Sequence, residues 1–232
     1  MLILGKDNID IVISNFRRLH YLGYLINAIE KRTEHPHRII VVDNCSIPKN
    51  REYIEFLKNN GRIWKAVYNE KNLPLSQVFK KGVELVESEY CVLALDDTIP
   101  PWTEPCWLTH LYYLIRKYPE YGAITIRQEK CTSDEYFKRK LEKVYFPLEE
   151  NSIEQRHHGV EERLQISRTS DLRSIGFALT NVGIYHLAKG LKELFNKKIG
   201  IARQKIGARA PSWRDKNMGY EENVPERFKF DI

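Results

Sequence analysis

An α/β fold with a mostly parallel, Rossmann-like central sheet is predicted by the first 95 residues of the chain. Three strand-helix units follow one another and lead into a fourth strand. The strand segments are continuous apolar runs, which is typical of strands buried on both faces of a parallel sheet. Strands that alternate with helices in this way are joined by right-handed crossovers, so we expect a sheet flanked by helices. No GxGxxG follows the first strand, so the dinucleotide-binding fingerprint is absent.

The first half of the chain supplies these elements in strict alternation. Short runs rich in Val and Ile predict the strands, and apolar residues three and four positions apart predict the helices. The predicted strands are residues 9–14, 38–42, 61–68 and 91–95. A loop followed by a helix is predicted within residues 15–33, and further helices over residues 49–59 and 75–87. A helix over 105–117 and a strand over 121–126 are expected next.

The second half of the chain is less regular. Residues 127–173 are highly charged, so we interpret them as an excursion from the sheet with room for helix. A late strand over 174–181 and a helix over 183–195 follow from their apolar patterns, and a basic segment and a polar tail close the chain.

The composition predicts one soluble domain. With 232 residues and 42% hydrophobic content, the chain can bury one sizeable core. It has no apolar run of about 18 residues and no secretory signal at its start, so we expect no transmembrane segment and a cytoplasmic protein, at most peripheral at a membrane surface. Its four cysteines are widely separated without a CxxC pair, which argues against a zinc site or a disulfide scaffold.

Basic charge is concentrated near the end of the chain. The segment from Lys197 to Lys216 holds seven basic residues and a single acid. It could face an anionic ligand, a nucleic acid or an acidic membrane surface. A solvated loop is the alternative interpretation, and spacing alone does not separate the two.

Two adjacent carboxylates end the fourth predicted strand. Asp96 and Asp97 follow the apolar run CVLAL directly. In open α/β sheets ligands bind at the carboxyl ends of strands, and paired hard oxygen ligands suit a divalent cation that bridges phosphates. The alternative is an Asp-rich turn before Pro100 and Pro101.

Three segments point to a family. IDIVISNFRR, IIVVDNCS and YNEKNLPLSQVFKKGVELVESEYCVLALDD, in this order, resemble the motifs of family 2 glycosyltransferases and relatives with the GT-A fold. The match covers roughly the first 100 residues, and its strength lies in the order and spacing of the motifs. The resemblance implies a UDP- or GDP-sugar donor and Mn²⁺ or Mg²⁺ at a DXD-type motif. It divides one GT-A domain into a nucleotide-sugar-binding half, residues 1–126, and an acceptor-side half, residues 127–232.

The resemblance also assigns roles to residues in the first half. Those assigned to donor binding are Ser14, Asn15, Arg17, Asp43, Asn72 and Asp96. By the same analogy Asp43 would contact the base, Asp96 would face the ribose or share the metal, and Asp97 would ligate the metal. The metal would neutralise the diphosphate leaving group without proton transfer.

The second half would supply the remaining groups. Inverting members of the family use a carboxylate there to deprotonate the acceptor hydroxyl, and the nearest match is Glu221 with Glu222. His158 would complete the metal shell, as a histidine does in similar enzymes. Competing acids for the base are Asp134, Glu135 and Asp215.

Other functions stay open on the sequence alone. The acceptor could be a glycan, a glycolipid or a protein hydroxyl. A nucleic-acid-binding protein that uses Lys197 to Lys216, with Trp213 for base stacking, is an alternative of a different class. The two functions would combine in a transferase acting on a modified base in DNA. A nucleotidyltransferase is less consistent, because the chain lacks a glycine-rich loop after its first strand.

Overall fold

The computed structural model describes residues 7–130, 143–156, 163–175, 191 and 196–209, and these residues surround one central sheet. The strands are β1 (Ile9–Asn15), β2 (His37–Asp43), β3 (Lys65–Tyr68), β4 (Tyr90–Leu95), β5 (Thr98–Ile99), β6 (Thr103–Glu104), β7 (Tyr121–Lys130), β8 (Val144–Tyr145), β9 (Ile153–Arg156), β10 (Gln165–Arg168) and β11 (Lys198–Arg209). The helices are α1 (Leu19–Arg32), α2 (Pro48–Asn59), α3 (Leu75–Glu84), α4 (Trp107–Lys117) and α5 (Thr169–Ser174), with a 3₁₀ turn at Leu148–Glu150.

The central sheet confirms the predicted α/β class. Its order is β3-β2-β1-β4-β10-β7-β11-β5, with β9 also paired to β11, and β6 and β8 form a separate pair. Among these nine described strands of the central sheet, β10, β5 and β9 run against the other six. The carboxyl ends of β1, β2 and β4 therefore lie together at one edge of the sheet, which we call the carboxyl edge.

Two apolar layers hold the helices on the sheet. In β1, Ile11 and Ile13 face the layer that contains α1, α2 and α4, while Val12 faces the layer that contains α3 and α5. All three side chains are fully buried, as the unbroken apolar pattern predicts. Gly82 lets α3 approach closely, because a Cβ atom there would lie 2.2 Å from Val12 Cγ1.

Every predicted element of the first half is present, with differences only at the ends, and the short strands β5 and β6 were not predicted. The third strand is shorter than expected, since only Lys65–Tyr68 pairs with β2. None of the helices in the described ranges is long and apolar enough to cross a membrane.

The second half departs from the prediction. The charged segment 127–173 is not simply an excursion, because β10 within it inserts antiparallel between β4 and β7 in the middle of the sheet. The expected late strand at 174–181 is wrong at its start, since Ser174 ends α5. Most of that strand and the helix at 183–195, apart from Leu191, lie outside the described residues.

The basic segment is also more ordered than a solvated loop. Its part Lys198–Arg209 forms β11, which pairs with β7, β9 and β5. Ile199 and Ala202 are buried in the core. Residues 210–216, including Trp213, lie outside the described residues, so nucleic-acid binding through this segment stays a prediction.

Candidate functional site

The predicted site residues of the first half gather at the carboxyl edge. Parallel register places Asn15 beside Asp43. The Asp96 N–H donates to the Ser14 carbonyl (3.2 Å), which ties the end of β4 to the end of β1. Three motifs separated along the chain thus meet where parallel strands end, the usual ligand-binding edge of such sheets.

The acidic pair lies at the centre of this edge and is buried. Asp96 and Asp97 are 5% and 2% exposed. The Phe16 N–H donates to Asp96 Oδ2 (3.1 Å), and Arg18 Nη1 lies 3.4 Å from Asp96 Oδ1. Burial raises the pKa of Asp96 against the opposing charge of Arg18. Asp96 therefore takes up a proton more readily than an ordinary aspartate.

Asp97 is bracketed by two arginines. Arg163 Nη1 donates to its Oδ1 (2.5 Å), and Arg18 Nη1 lies 3.0 Å from its Oδ2. Burial acts to raise the pKa of Asp97, but the charges of Arg163 and Arg18 outweigh it and hold the pKa below its ordinary value. Asp97 is accordingly the ionised member of the pair.

The arginine at the acidic pair is Arg18, whereas the resemblance assigns its neighbour Arg17 to donor binding, which stays a prediction. Arg17 has a φ of +55° and donates its N–H to Ser46 Oγ (2.8 Å), while its exposed side chain lies over the Phe16 ring. The next residue, Arg18, carries its guanidinium to Asp96 and Asp97. The sequence motif locates the loop, but the turn at Arg17 decides which arginine faces the acids.

Arg163 was missed entirely at the level of sequence. It precedes β10 by two residues, in a segment that the sequence left unassigned. Only the antiparallel insertion of β10 beside β4 brings it to Asp97. No local pattern around Arg163 signals this placement.

Asp43 is fully buried and contacts β1, α2 and the loop that follows β2. Its Oδ1 accepts from Asn15 Nδ2 (2.8 Å), its Oδ2 accepts from the Ser46 N–H (3.1 Å), and Arg51 Nε lies 3.7 Å from Oδ2. In the structure Asp43 therefore orders the loop after β2, and its contact with a base stays a prediction. Asn15 Oδ1 is buried without a hydrogen-bond partner among the described residues, so an acceptor remains available there.

A chain of amides joins the neighbouring loops. Asn44 Nδ2 donates to Asn72 Oδ1 (2.6 Å), and Asn44 Oδ1 accepts from the Leu73 N–H (2.9 Å) and from Asn69 Nδ2 (3.1 Å). Lys81 Nζ donates to Asn69 Oδ1 (2.6 Å). This network places Asn72 at the rim of the carboxyl edge, where its side chain is exposed.

The predicted residues of the second half cannot be placed. His158, Glu221 and Glu222, with the competitors Asp134, Glu135 and Asp215, lie outside the described residues. Within the described ranges, no group of three or more His, Cys, Asp or Glu side chains is arranged to hold a metal ion. Of the residues predicted to hold or share the metal, Asp96 and Asp97 lie within the described ranges.

Comparison with solved structures identifies the fold. The chain resembles S. aureus TarS 1–349 in complex with UDP-GlcNAc (TM-score 0.62, 14% identity, 88% of this chain and 59% of that one). It also resembles the mannosyltransferase PcManGT from Pyrobaculum calidifontis in complex with GDP-Man and Mn²⁺ (0.66, 11%, 92% and 60%). A third similar structure is GalNAc-T7 with UDP, GalNAc and Mn²⁺ (0.69, 14%, 95% and 48%).

These likenesses confirm the GT-A fold, and the chain spans only about half to three fifths of the three neighbours. No curated protein sequence matches the chain. The profile of the family described as Glycosyl transferase family 2 matches residues 10–176 of the 232. This match includes the three motifs of the carboxyl edge and extends through β10 and α5. The chain belongs to glycosyl transferase family 2.

Proposed function

We propose that the protein transfers a sugar from a nucleotide-diphosphate sugar to an acceptor hydroxyl. The observation that carries the proposal is the buried acidic pair with its arginines at the carboxyl edge of a family 2 domain. Three similar structures carry UDP-GlcNAc, GDP-Man or UDP with GalNAc, which supports a UDP- or GDP-sugar as donor.

The donor would lie across the ends of β1, β2 and β4. The proposed donor-binding residues are Ser14, Asn15, Arg17, Asp43, Asn72 and Asp96. Several of them are already held by contacts between the loops, such as the Asn15–Asp43 and Asn44–Asn72 hydrogen bonds. A site held in this way loses little conformational entropy when the donor binds.

A divalent cation, Mn²⁺ or Mg²⁺, fits the chemistry of the acidic pair. Asp96 and Asp97 are adjacent hard oxygen ligands, and Mn²⁺ is present in two of the similar structures. Asp97 would hold the cation, with Asp96 beside it and His158 as a ligand from the second half. When bound, the cation would offset the charge that develops on the departing nucleoside diphosphate.

The acceptor would approach from the second half of the chain. Glu221 or Glu222 is proposed as the base that removes the proton of the acceptor hydroxyl during sugar transfer. The acceptor class proposed is a glycan, glycolipid or protein hydroxyl.

Calorimetry tests the proposal directly. The purified chain is titrated with UDP-GlcNAc, UDP-GalNAc and GDP-mannose in the presence of Mn²⁺, and at least one donor is expected to bind. Asp97→Asn should weaken that binding, whereas Glu84→Gln, an exposed acid paired with Lys80, should not. Failure of all three donors to bind, with circular dichroism reporting an intact fold, would contradict the proposal.

A further inference from the structure

We propose that Arg163 and Arg18 bind the donor diphosphate, and that in the donor-free protein they hold Asp97, so that a cation binds Asp97 only together with the diphosphate. This inference rests on the proposed function and adds to it a binding residue, Arg163, and an order of events. It follows from the contacts, the local backbone and the charge balance of the acidic pair.

Both oxygens of Asp97 are in contact with an arginine. Arg163 occupies Oδ1 at 2.5 Å and Arg18 faces Oδ2 at 3.0 Å. The side chains of Asp97, Arg163 and Arg18 are 3%, 10% and 12% exposed, so solvent screens these contacts weakly. An incoming cation would have to compete with two guanidinium groups for the same carboxylate.

The backbone next to Arg163 is held in an uncommon conformation. Leu164 is fully buried and has a φ of +59°, which lies in a backbone region that residues other than glycine rarely adopt. The Arg163 carbonyl accepts from Thr125 Oγ1 (3.0 Å) on β7. Conformations of this kind persist only where the surroundings fix them, and they cluster at ligand sites. The backbone conformation at Leu164 and this hydrogen bond therefore help to place Arg163 at the acidic pair.

Charge balance favours joint entry of cation and diphosphate. Asp96 and Asp97 carry at most two negative charges, and Arg18 and Arg163 carry two positive charges. A divalent cation alone would leave a buried site with excess positive charge, which is costly in a medium of low polarity. The diphosphate of a nucleotide sugar brings two negative charges, so the cation and the diphosphate together leave the balance unchanged.

Arginine is suited to such an exchange. Its planar guanidinium forms paired hydrogen bonds to phosphate as readily as to carboxylate. The arginines would move from Asp97 oxygens to phosphate oxygens, which frees Asp97 for the cation. No covalent bond forms or breaks in this exchange.

Electron paramagnetic resonance of Mn²⁺ tests two claims separately. The first is that Arg163 helps to bind the diphosphate, and the second is that the arginines compete with the cation for Asp97. The wild-type chain, Arg163→Gln and the control Arg168→Gln are titrated with Mn²⁺ alone and with Mn²⁺ plus UDP or GDP. Arg168 lies at the other end of β10 in a partly exposed ion pair with Glu89. Wild type and control should bind Mn²⁺ at least about tenfold more tightly with the matching nucleotide than without it.

Arg163→Gln should move the two affinities in opposite directions. Mn²⁺ alone should bind about tenfold more tightly than to wild type, because one competing positive charge is gone. The nucleoside diphosphate should bind about ten- to a hundredfold more weakly, because a charged hydrogen-bond donor is lost. A purely structural role for Arg163 would not tighten Mn²⁺ binding.

Each contrary result has its own meaning. If wild type binds nucleotide and Arg163→Gln binds it equally well, or if wild type binds Mn²⁺ as tightly without nucleotide, the inference is overturned while the proposed function stands. If wild type binds neither UDP nor GDP, the proposed function fails. Should Arg163→Gln not fold, Arg163→Lys decides the matter, since a severalfold loss of nucleotide affinity supports the inference and an unchanged affinity overturns it.

Discussion

Two buried aspartates at opposite ends of the same sheet are both paired with arginine, yet their partners differ in kind. At the amino end of β1, Asp10 is fully buried and accepts from Arg38 Nε (2.7 Å) and Nη2 (3.0 Å) and from the backbone N–H groups of Glu87 (2.7 Å) and Ser88 (3.1 Å). At the carboxyl edge, the described contacts of Asp97 come from the side chains of Arg18 and Arg163.

The difference in hydrogen-bond donors distinguishes Asp10, which anchors the fold, from Asp97, whose contacts can be exchanged. Backbone N–H groups are fixed by the chain, so Asp10 cannot lose them without local unfolding. Guanidinium groups sit at the ends of rotatable side chains and can transfer to another anion. For these two aspartates, the source of the hydrogen-bond donors separates the two roles, whereas the presence of an ion pair does not.

The largest effect is expected from Asp97→Asn on sugar transfer. The variant removes the charge that we propose holds the cation, and a loss of about 3 kcal/mol in transition-state stabilisation corresponds to a rate decrease of more than about a hundredfold. Release of nucleoside diphosphate from a donor that binds in calorimetry is the measurement. If the Asp97→Asn chain folds and turns over at the wild-type rate, Asp97 has a structural role like that of Asp10.

Asp10→Asn is expected to act on stability instead. Removing one partner of a buried ion pair costs about 3–5 kcal/mol, and because Arg38 is 27% exposed and keeps Glu87, we expect about 2–3 kcal/mol. Urea unfolding measures the loss, and turnover per folded molecule should match that of wild type. Glu87→Gln, which alters an exposed acid on the same arginine, should change the unfolding free energy much less than Asp10→Asn does. Equal losses of unfolding free energy in Asp10→Asn and Glu87→Gln would contradict the distinction between a structural anchor and a surface ion pair.

The two ends of the sheet also differ in how far the sequence predicts them. β1, β2 and β4 are continuous apolar runs, and the polar residues that follow them are local signals, so the carboxyl edge and Asp96–Asp97 could be predicted. β10 is only four residues long and contains the buried polar pair Gln165 and Ser167, which bond to each other (3.2 Å). Its position depends on pairing with β4, more than 70 residues earlier in the chain, and sequence periodicity carries no information on that pairing. Arg163 was therefore beyond sequence reasoning, although it contacts a predicted residue.

The smallest effect on stability is expected from His110, which forms a neutral buried hydrogen bond with Asn151 away from the two ends of the sheet. Its titration distinguishes acid sensitivity caused by a histidine from acid sensitivity caused by carboxylates. His110 on α4 is fully buried, and its Nδ1 accepts from Asn151 Nδ2 (3.1 Å). Burial lowers the pKa of His110 to about 4, from an ordinary value of 6.5. Between these two values the unfolded chain binds a proton that the folded chain does not, so this group makes the protein less stable as the pH falls from 6.5 to about 4.

For Asp10, the pH range over which its contribution to stability changes lies lower. Burial acts to raise the pKa of Asp10, but Arg38 and the two backbone N–H groups outweigh it and hold the pKa below 3.8, so its stabilisation is lost only as the pH falls below that value. Comparing wild type with His110→Gln cancels every other titrating group. The unfolding free energy of wild type minus that of His110→Gln should fall by about 2 kcal/mol between pH 7 and pH 4, as measured by urea unfolding at each pH. A difference that stays constant over this range would mean that His110 gains its proton over the same pH range in the folded and the unfolded chain, so that its burial contributes nothing to the acid sensitivity of the protein above pH 4.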